Sequence, residues 1–587
     1  MLTLPDRPRS LWLAGPRPGH PPWDASAGER FDVVVIGAGI VGLTTAALLA
    51  ERGATVAVLE ARYVGAGTTG YTTAKVSVLH GAKYHRLEQR HGPERTAAYA
   101  AANAAGLDWI AERLARAAVP VERRDAVTYT TQASTAGLLT REAEALGRAG
   151  VTAHVTADTD LPFPVAAAVR VPDQFQFDPV PHLHRLADEV IAAGGSVHEG
   201  TRVLSVRGGT VTTDRGRLAA GRVVVATGLP VLDRGLYFAR AEPHRSYALA
   251  LRIGERPPAG MYLSVDSPTR SLRTASDPDG EYLLVGGNGH KTGHDHPTSR
   301  HVADLLAWSV RHFPVQEVAY RWSAQDYATI DLLPYVGPLL PHSDRVFTAT
   351  GFDKWGMTNG TAAALVLADL CTGTENPWAD VFSPARRPPI SAAAPFARHN
   401  AEAAFRLAVD WIRPRPSSPP ALSEGEGRLV RCGIRPCGVS RTDGTERTVS
   451  AVCTHLGGVV QWNDAERSWD CPLHGSRFGP DGAVLQAPAV RPLSATKGTR
   501  PMAIVTAADV RDLLGSAEPG ATLVLLAGET HVVAGADLTA DRLAGAVVVA
   551  DRDQLRETAN LDVDHPSADA LRELAERLDA AVAHLGG

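Results

Sequence analysis

Cys453, His455, Cys471 and His474 constrain this chain more than any other residues. They fall in VCTHLGGVVQWNDAERSWDCPLHGS with the spacing C-x-H-x15-C-x-x-H. The chain has only 5 cysteines in 587 residues, so two of them beside histidines in one stretch demand an explanation. Zinc fingers usually pair Cys with Cys and His with His across hairpins. Here each short segment supplies one of each. That arrangement suits a [2Fe–2S] cluster in which two Cys hold one iron and two His hold the other. A structural zinc and four unconnected residues are the alternatives, and the mixed pairing weighs against both.

The rest of the chain is far too long for one core, so several domains are expected. A hydrophobic fraction of 44% and a charged fraction of 21% are those of a soluble globular protein. A net charge of −5 with mixed signs gives no electrostatic case for nucleic acid or an anionic membrane. The few, odd-numbered cysteines argue against a disulfide framework and fit a reducing compartment. The N-terminal stretch lacks a signal-peptide apolar run, and no transmembrane segment is expected. The expected location is cytoplasmic. WIRPRPSSPPALSEGEG, from Trp411, carries four prolines and reads as a semi-rigid linker. Short β-type runs follow it. The last segment has buried-strand runs and a final amphipathic helix bearing Leu571, Leu574 and Leu578.

A second motif opens the chain. DVVVIGAGIVGLTTAALLAERGATVAVLEA contains Gly37, Gly39 and Gly42 as GxGxxG, after a β-branched run and before an Ala/Leu-rich helix. Gly37 permits the tight turn, Gly39 lets a pyrophosphate approach the backbone, and Gly42 lets helix and strand pack closely. The helix N-terminus would face phosphates, and Glu60, ending the next β run, could accept from ribose hydroxyls. The small, hydroxyl-rich stretch ARYVGAGTTGYTTAKVSVLHG then suits backbone running along a long ligand.

From these residues onward the chain resembles the D-amino-acid-oxidase-type family of FAD-dependent oxidoreductases, the relatives of glycine and sarcosine oxidases. FQFDPVPHLHRLADEVIAAGGSVHEGTRVLSV, RVVVATG, DLLPYVGPLL and VFTATGFDKWGMTNGTAAALVLADL carry the resemblance further. It assigns FAD contacts to Gly37, Gly39, Ile40, Val41, Gly42, Glu60 and Ala61, then to Thr68, Thr69, Thr72 and Thr73. It adds Val203, Thr227 and Gly228, and finally Gly351, Gly356, Met357, Thr358 and Gly360. Relatives with covalent flavin carry a cysteine shortly before the closing segment. RWSAQDYATIDLLPYVG has none, and Cys371 lies beyond it, so FAD is expected to be non-covalent. No second GxGxxG opens another βαβ unit, so no NAD(P)H domain is expected.

CTHLGG and CPLHGSRF resemble Rieske domains, with Cys453, His455, Cys471 and His474 as ligands. High-potential Rieske proteins carry an extra cysteine in each loop, joined as a disulfide; here those positions are Gly458 and Leu473. Ser476 is retained, while a frequent Tyr is Phe478. Fewer hydrogen bonds stabilise the added electron less, so the potential is expected near about −150 mV rather than about +300 mV. Cys432 and Cys437 are read as ordinary β-domain residues.

The expected fold is multidomain α/β plus all-β. An irregular lead spans 1–30 and a FAD-dependent oxidoreductase 31–410, with FAD-binding parts at about 31–90, 150–235 and 320–400. Its antiparallel-sheet substrate parts lie at about 91–149 and 236–319. A linker follows at 411–422, a Rieske β-sandwich at 423–498, and a small α/β segment of unknown role at 499–587. The resemblance implies oxidation of an amine or amino-acid C–N bond at the flavin. Electrons would then leave singly through the cluster to an external acceptor such as a ferredoxin, cytochrome or quinone. Two alternatives are a reductase with electrons entering through the cluster, and a non-catalytic electron-transfer or redox-sensing module. No convincing two-His-one-carboxylate triad is seen in the sequence, which disfavours an oxygenase. Arg245, His290 and Lys75 are the catalytic candidates, with Tyr247 and Lys291 beside them. His80 and His85 are taken as structural.

Overall fold

The computed structural model describes residues 2–24, 30–117, 119, 121–278, 280–341, 343–413, 415–416, 421–432, 435–494, 505–526, 529–539, 546–558 and 566–582. Parts of the expected lead, linker and C-terminal segment lie outside the described residues. Two compact units emerge, one of Met1–Lys291 with Thr298–Ala393, the other of Thr292–Pro297 with Ala394–Gly587. The division falls well before the linker expected at 411–422. The reason is the helix Ala393–Ile412, whose terminal Trp411 and Ile412 are buried in cores of the second unit. Among the described residues, no helix is long and apolar enough to cross a membrane.

The first unit is built on two sheets. One has the strand order Tyr335–Pro338, Val346–Thr350, Gly216–Val225, Arg30–Ile36, Val56–Leu59, Ser196–His198. Its central pairs are parallel, as buried β-branched runs joined by helices require. The helix Ile40–Glu51 has every residue but Glu51 buried, because other helices cover the faces that the sheet leaves open. The helix Gly356–Thr372 lies against it: a Cβ built on Gly360 would meet Ile40 and Val41 side chains at 3.1 and 3.2 Å.

The other sheet runs Val315–Thr329, Ala241–Ile253, Gly280–Lys291, Arg270–Asp277, Met261–Ser264, Glu122–Thr130, Ala167–Gln176, Lys75–Val76. It departs from the expected antiparallel sheet in one place, since Met261–Ser264 and Glu122–Thr130 pair in parallel. It also draws in Lys75–Val76, Ala167–Gln176 and most of Val315–Thr329, which the sequence had placed in FAD-binding parts. Partnership in a sheet is decided by distant residues, such as Lys75 opposite Gln176, and leaves no local pattern. The lead is packed as well as irregular. Leu11, Trp12 and Leu13 are buried in a 3-10 turn, and Trp12 Nε1 donates to the Thr72 carbonyl at 2.7 Å.

The second unit contains a three-stranded sheet, Gly427–Cys432, Arg435–Thr442 and Thr445–Ser450, and a four-stranded one from Gln461 to Gln486. Trp462 and Trp469 pack edge to face at 4.8 Å between them. Gly427 and Gly438 have no room for a side chain, since a Cβ on each would lie 2.4 and 2.6 Å from these rings. Cys432 and Cys437, expected to be ordinary residues, form a disulfide across the first hairpin. Beyond it, the antiparallel strands Glu529–Val533, Thr522–Leu526 and Val547–Asp551 pack under helices Ala507–Gly515 and Ala568–Val582.

One buried ion pair holds the turn that leads into the closing strands of the first unit. Arg386 binds both Asp331 oxygens, at 2.7 and 2.8 Å, and gives its other N–H groups to the Leu333, Pro334, Phe382 and Ser383 carbonyls. The two side chains are 1% and 0% exposed. Burial pushes the Asp331 carboxyl up, but the Arg386 hydrogen bonds and charge outweigh it and hold it below 3.8. A carboxyl so lowered stabilises the fold above its ordinary value, and that contribution disappears as pH falls through its folded value. Arg386→Ala leaves the carboxylate buried and unpaired, so about 3–5 kcal/mol of stability should be lost. Acid unfolding of the variant should begin at a higher pH than in the parent, and circular dichroism along a pH series checks both.

Candidate functional site

Three glycines shape the opening of the first unit. Gly37 has φ +104°, and a Cβ there would lie 2.6 Å from the Ala226 carbonyl oxygen. A Cβ on Gly42 would lie 1.9 Å from the Gly37 carbonyl oxygen, so only glycine allows this helix–strand approach. Gly39 is different: its Cβ would meet nothing but Thr69 Oγ1, at 3.2 Å. It borders a cradle rather than a packed wall. Gly39 caps the helix Ile40–Glu51 without a side-chain hydrogen bond, and Trp355 does the same for Gly356–Thr372. A Cβ on Gly356 would meet nothing within 4 Å. Two helix N-termini thus offer amide groups toward open space, where a dinucleotide pyrophosphate and the oxygens of a flavin ring can accept them.

The remaining expected FAD residues divide by what they touch. Glu60 accepts from the Ala38 and Arg62 amides, both at 2.9 Å, and burial raises its carboxyl. Each oxygen keeps a second lone pair, enough for ribose hydroxyls. Ala61 follows it, half-buried. Thr69 Oγ1 accepts from the Ile40 amide at 3.1 Å, and Thr68 Oγ1 donates to the Gln325 carbonyl at 2.7 Å. Thr72 Oγ1 accepts from the Ala74 amide, and the Thr73 carbonyl accepts from the buried Arg273. These contacts fix the loop's backbone. Val203 is buried at the start of its strand, and Val41 is buried in the helix. Thr227 Oγ1 donates to the Leu229 carbonyl, and Thr350 Oγ1 to that of Gly228. Gly351 takes φ +84°, and Met357 is buried behind the first turn of the closing helix.

That first turn is locked by a polar network. His80 Nε2 lies 2.9 Å from the Ser77 carbonyl, which can only accept, so Nε2 carries the hydrogen. Nδ1 then accepts from Tyr99 OH at 2.6 Å, and Asn359 donates to the same hydroxyl at 3.1 Å. His80 also reaches Thr358 Oγ1 at 3.1 Å and stacks on Trp355. Burial, followed by the Lys83 charge, pushes the imidazole down to about 3, so it stays neutral.

The three catalytic candidates do not form one cluster. Lys75 Nζ donates to the Tyr262 carbonyl and Ser271 Oγ, both at 2.6 Å, and burial together with the Arg273 charge lowers it well below 10.5. Arg245 is fully buried and donates to Ser323 Oγ and Gln325 Oε1 at 2.7 and 2.9 Å. His290 stacks on His301 at 4.4 Å and lies 3.2 Å from Tyr247 OH, on the face covered by the helix Ser299–His312. On the other face of that strand, Gly289 leaves room for two groups the sequence reading missed. A Cβ there would meet Lys354 Nζ at 2.9 Å and Ser246 Oγ at 3.1 Å. Lys354 sits at φ +71° between Gly351 and Gly356, and its amide donates to Asp326. Burial raises the Asp326 carboxyl to about 6, against the Lys354 charge. Lys83 pairs with Asp353 at 3.2 Å, so charges alternate along Lys83, Asp353, Lys354 and Asp326. The signal for Lys354 was two non-glycine residues in a left-handed turn, which a sequence does not display.

In the second unit, the two ligand loops share one design. The Cys453 amide donates to the Gly458 carbonyl and the Gly457 amide to Cys453; the Cys471 amide donates to Ser476 and the Gly475 amide to Cys471. Gly457 and Gly475 turn each loop at φ +73° and +77°. The two cysteines are 1% exposed each, and the His455 and His474 rings stand 5.1 Å apart at 86°. At Cys453 burial raises the thiol, but hydrogen bonds from Cys471 and Ser476 and the His455 charge outweigh it and hold it at about 7. At Cys471 the hydrogen bond it gives to Cys453 pushes the thiol up, and burial adds to this. Two buried thiols beside two imidazoles are the donor set of a [2Fe–2S] pair in which each iron takes two ligands. Leu473 lies over Gly458, 2.7 Å from its Cβ position, so apolar packing fills the place of the loop disulfide.

Gly39→Val would put a branched side chain into the cradle opening. The expected outcome is loss of bound flavin with iron per chain unchanged, read from absorbance and iron analysis. Loss of both would contradict independent sites in the two units.

The chain matches the FAD dependent oxidoreductase family over residues 32–370, more than half its length, and the Rieske [2Fe-2S] domain over 418–498. A Bacillus subtilis (strain 168) protein named for a Rieske 2Fe-2S centre, YhfW, is 35% identical over 470 residues, 79% of this chain and 92% of that protein. The cytochrome b6-f complex iron-sulfur subunit of Bigelowiella natans is 53% identical over 45 residues, only 8% of this chain and 18% of that protein. Glycine oxidase from Geobacillus kaustophilus shares the fold, with TM-score 0.52 and 20% identity over 61% of this chain and 99% of its own. The cradle of the first unit and the paired Cys/His loops of the second therefore have a common reading: the chain belongs to the FAD-dependent oxidoreductases of the D-amino-acid-oxidase type, and it carries a C-terminal Rieske [2Fe–2S] domain.

Proposed function

We propose that this oxidoreductase removes electrons from the C–N bond of a small amine or amino acid and delivers them singly to an external acceptor. A ferredoxin, a cytochrome or a quinone would serve. FAD supplies two-electron hydride chemistry and the cluster one-electron transfer. The observation that carries this reading is the presence of both donor sets in one chain. An oxidase that hands its electrons to O₂ at the flavin has no use for a Rieske site. FAD is held without a covalent bond in this reading. Cys371 supports that, being 2% exposed in the closing helix with its thiol pushed up to about 12 by burial.

On the substrate side, the Lys354 ammonium offers a point charge for a carboxylate. The bare Cα of Gly289 makes room for that ammonium, and Ser246 adds a hydroxyl beside it. The His80 network keeps Thr358 and Asn359 in place, so the amides of the closing helix stay aimed as a substrate approaches. Burial and the Arg273 charge disfavour the ammonium form of Lys75, so it would offer a neutral amine beside the Tyr262 carbonyl and Ser271 Oγ.

The test is an anaerobic panel of amines, amino acids and unrelated reductants such as alcohols and 2-hydroxy acids, followed by flavin absorbance. Bleaching by an amine or amino acid alone is expected, and bleaching only by another class would reject the substrate assignment. With an active amino acid in hand, Lys354→Met should raise its KM about ten- to hundredfold, the worth of about 1.5–3 kcal/mol for a charged hydrogen bond. The corresponding amine without its carboxylate should be unaffected. Equal effects on both would remove Lys354 from substrate binding.

A further inference from the structure

The segment Thr292–Pro297 belongs, by its contacts, to the unit that carries the cluster loops, although it is spelled within the oxidoreductase half of the sequence. Gly293 turns at φ +73°, and a Cβ there would lie 2.8 Å from Pro472 Cα, so only glycine can lie this close. The next residue, His294, points Nε2 at the Pro472 carbonyl at 3.1 Å and Nδ1 at the Glu402 carboxylate at 3.1 Å. Its side chain is 13% exposed. Pro472 sits between the ligands Cys471 and His474.

A carbonyl oxygen and an ionised carboxylate only accept hydrogen bonds, so both ring nitrogens must donate. His294 is then an imidazolium, with its positive edge on the ligand loop and its negative partner on the far side. Glu402 lies on the helix Ala393–Ile412, and Trp411 of the same helix donates to the Gly457 carbonyl at 2.8 Å in the other ligand loop. One helix therefore braces both loops, one directly and one through His294.

We propose that His294 is a positioning residue of the iron–sulfur site: it braces the Cys471–His474 loop and holds a positive charge there that favours the reduced, more negative cluster. That charge offsets part of what is lost with the missing loop disulfide and with Phe478 in place of a tyrosine. It also makes the electron affinity of the cluster depend on a segment that a Rieske domain alone does not contain.

The test is the cluster's midpoint potential in the full-length holoprotein, from a redox titration followed by electron paramagnetic resonance, with iron per chain as a control. His294→Gln keeps a donor but leaves Glu402 uncompensated. It should make reduction about tenfold less favourable, about 59 mV lower for one electron. His294→Lys keeps the charge and should stay within about threefold of the parent. Loss of iron from the Gln variant alone, with the Lys variant like the parent, also supports the assignment. Equal potentials in parent and Gln variant, an equal drop in Gln and Lys variants, or loss of iron from both would overturn it.

Discussion

The close approach of two helices at Gly360 is the contact on which the first unit depends. Any side chain there would push against Ile40 and Val41, a few tenths of an ångström inside ordinary contact. Separating the helices would pull apart their N-termini, whose N-cap residues Gly39 and Trp355 make no side-chain hydrogen bond and where Thr69 takes the Ile40 amide. The other first-turn amides are the part of the fold that a pyrophosphate and a flavin ring can use. Gly42 acts in the same way between helix and strand, with the Gly37 carbonyl in the space a side chain would need. The binding site is thus a consequence of packing, and the glycines are where the packing is tightest.

The second unit solves a different problem. Two loops with the same turn geometry must be held face to face while their cysteines stay buried. Trp462 and Trp469 fill the space between the two sheets, against Gly427 and Gly438, and Trp411 donates to the Gly457 carbonyl. Leu473 over Gly458 replaces a covalent link with apolar contact. In the proposed function, covalent continuity of the chain keeps the flavin domain and the cluster domain together, so that two-electron chemistry and one-electron transfer need no separate carrier between them.

Much of this was legible in the sequence because it is local. GxGxxG between a β-branched run and an Ala/Leu helix, and C-x-H with C-x-x-H, each keep their chemistry within a few residues. The misses are long-range. The partnership of Lys75 with Gln176, the Arg386–Asp331 pair and the reach of His294 to Pro472 each join residues dozens to hundreds of positions apart. Arg245 and His290 were singled out because they are charged or titratable near a glycine-rich turn, and the partners of their side chains could not be read there. Their side chains bind Ser323 and Gln325 in one case, and Tyr247 and His301 in the other. Lys354 was overlooked because its place over the bare Cα of Gly289 depends on a left-handed backbone turn.

The central claim is that electrons pass from the flavin to the cluster within one chain. It can be tested without knowing the substrate. The holoprotein is made anaerobic, its flavin is reduced by light in the presence of a sacrificial amine donor, and the paramagnetic signal of the reduced cluster is followed over time. The account predicts that the signal grows to one reduced cluster per chain at a rate independent of protein concentration. Fully reduced flavin beside a cluster that stays oxidised, or a rate that scales with concentration, would contradict it.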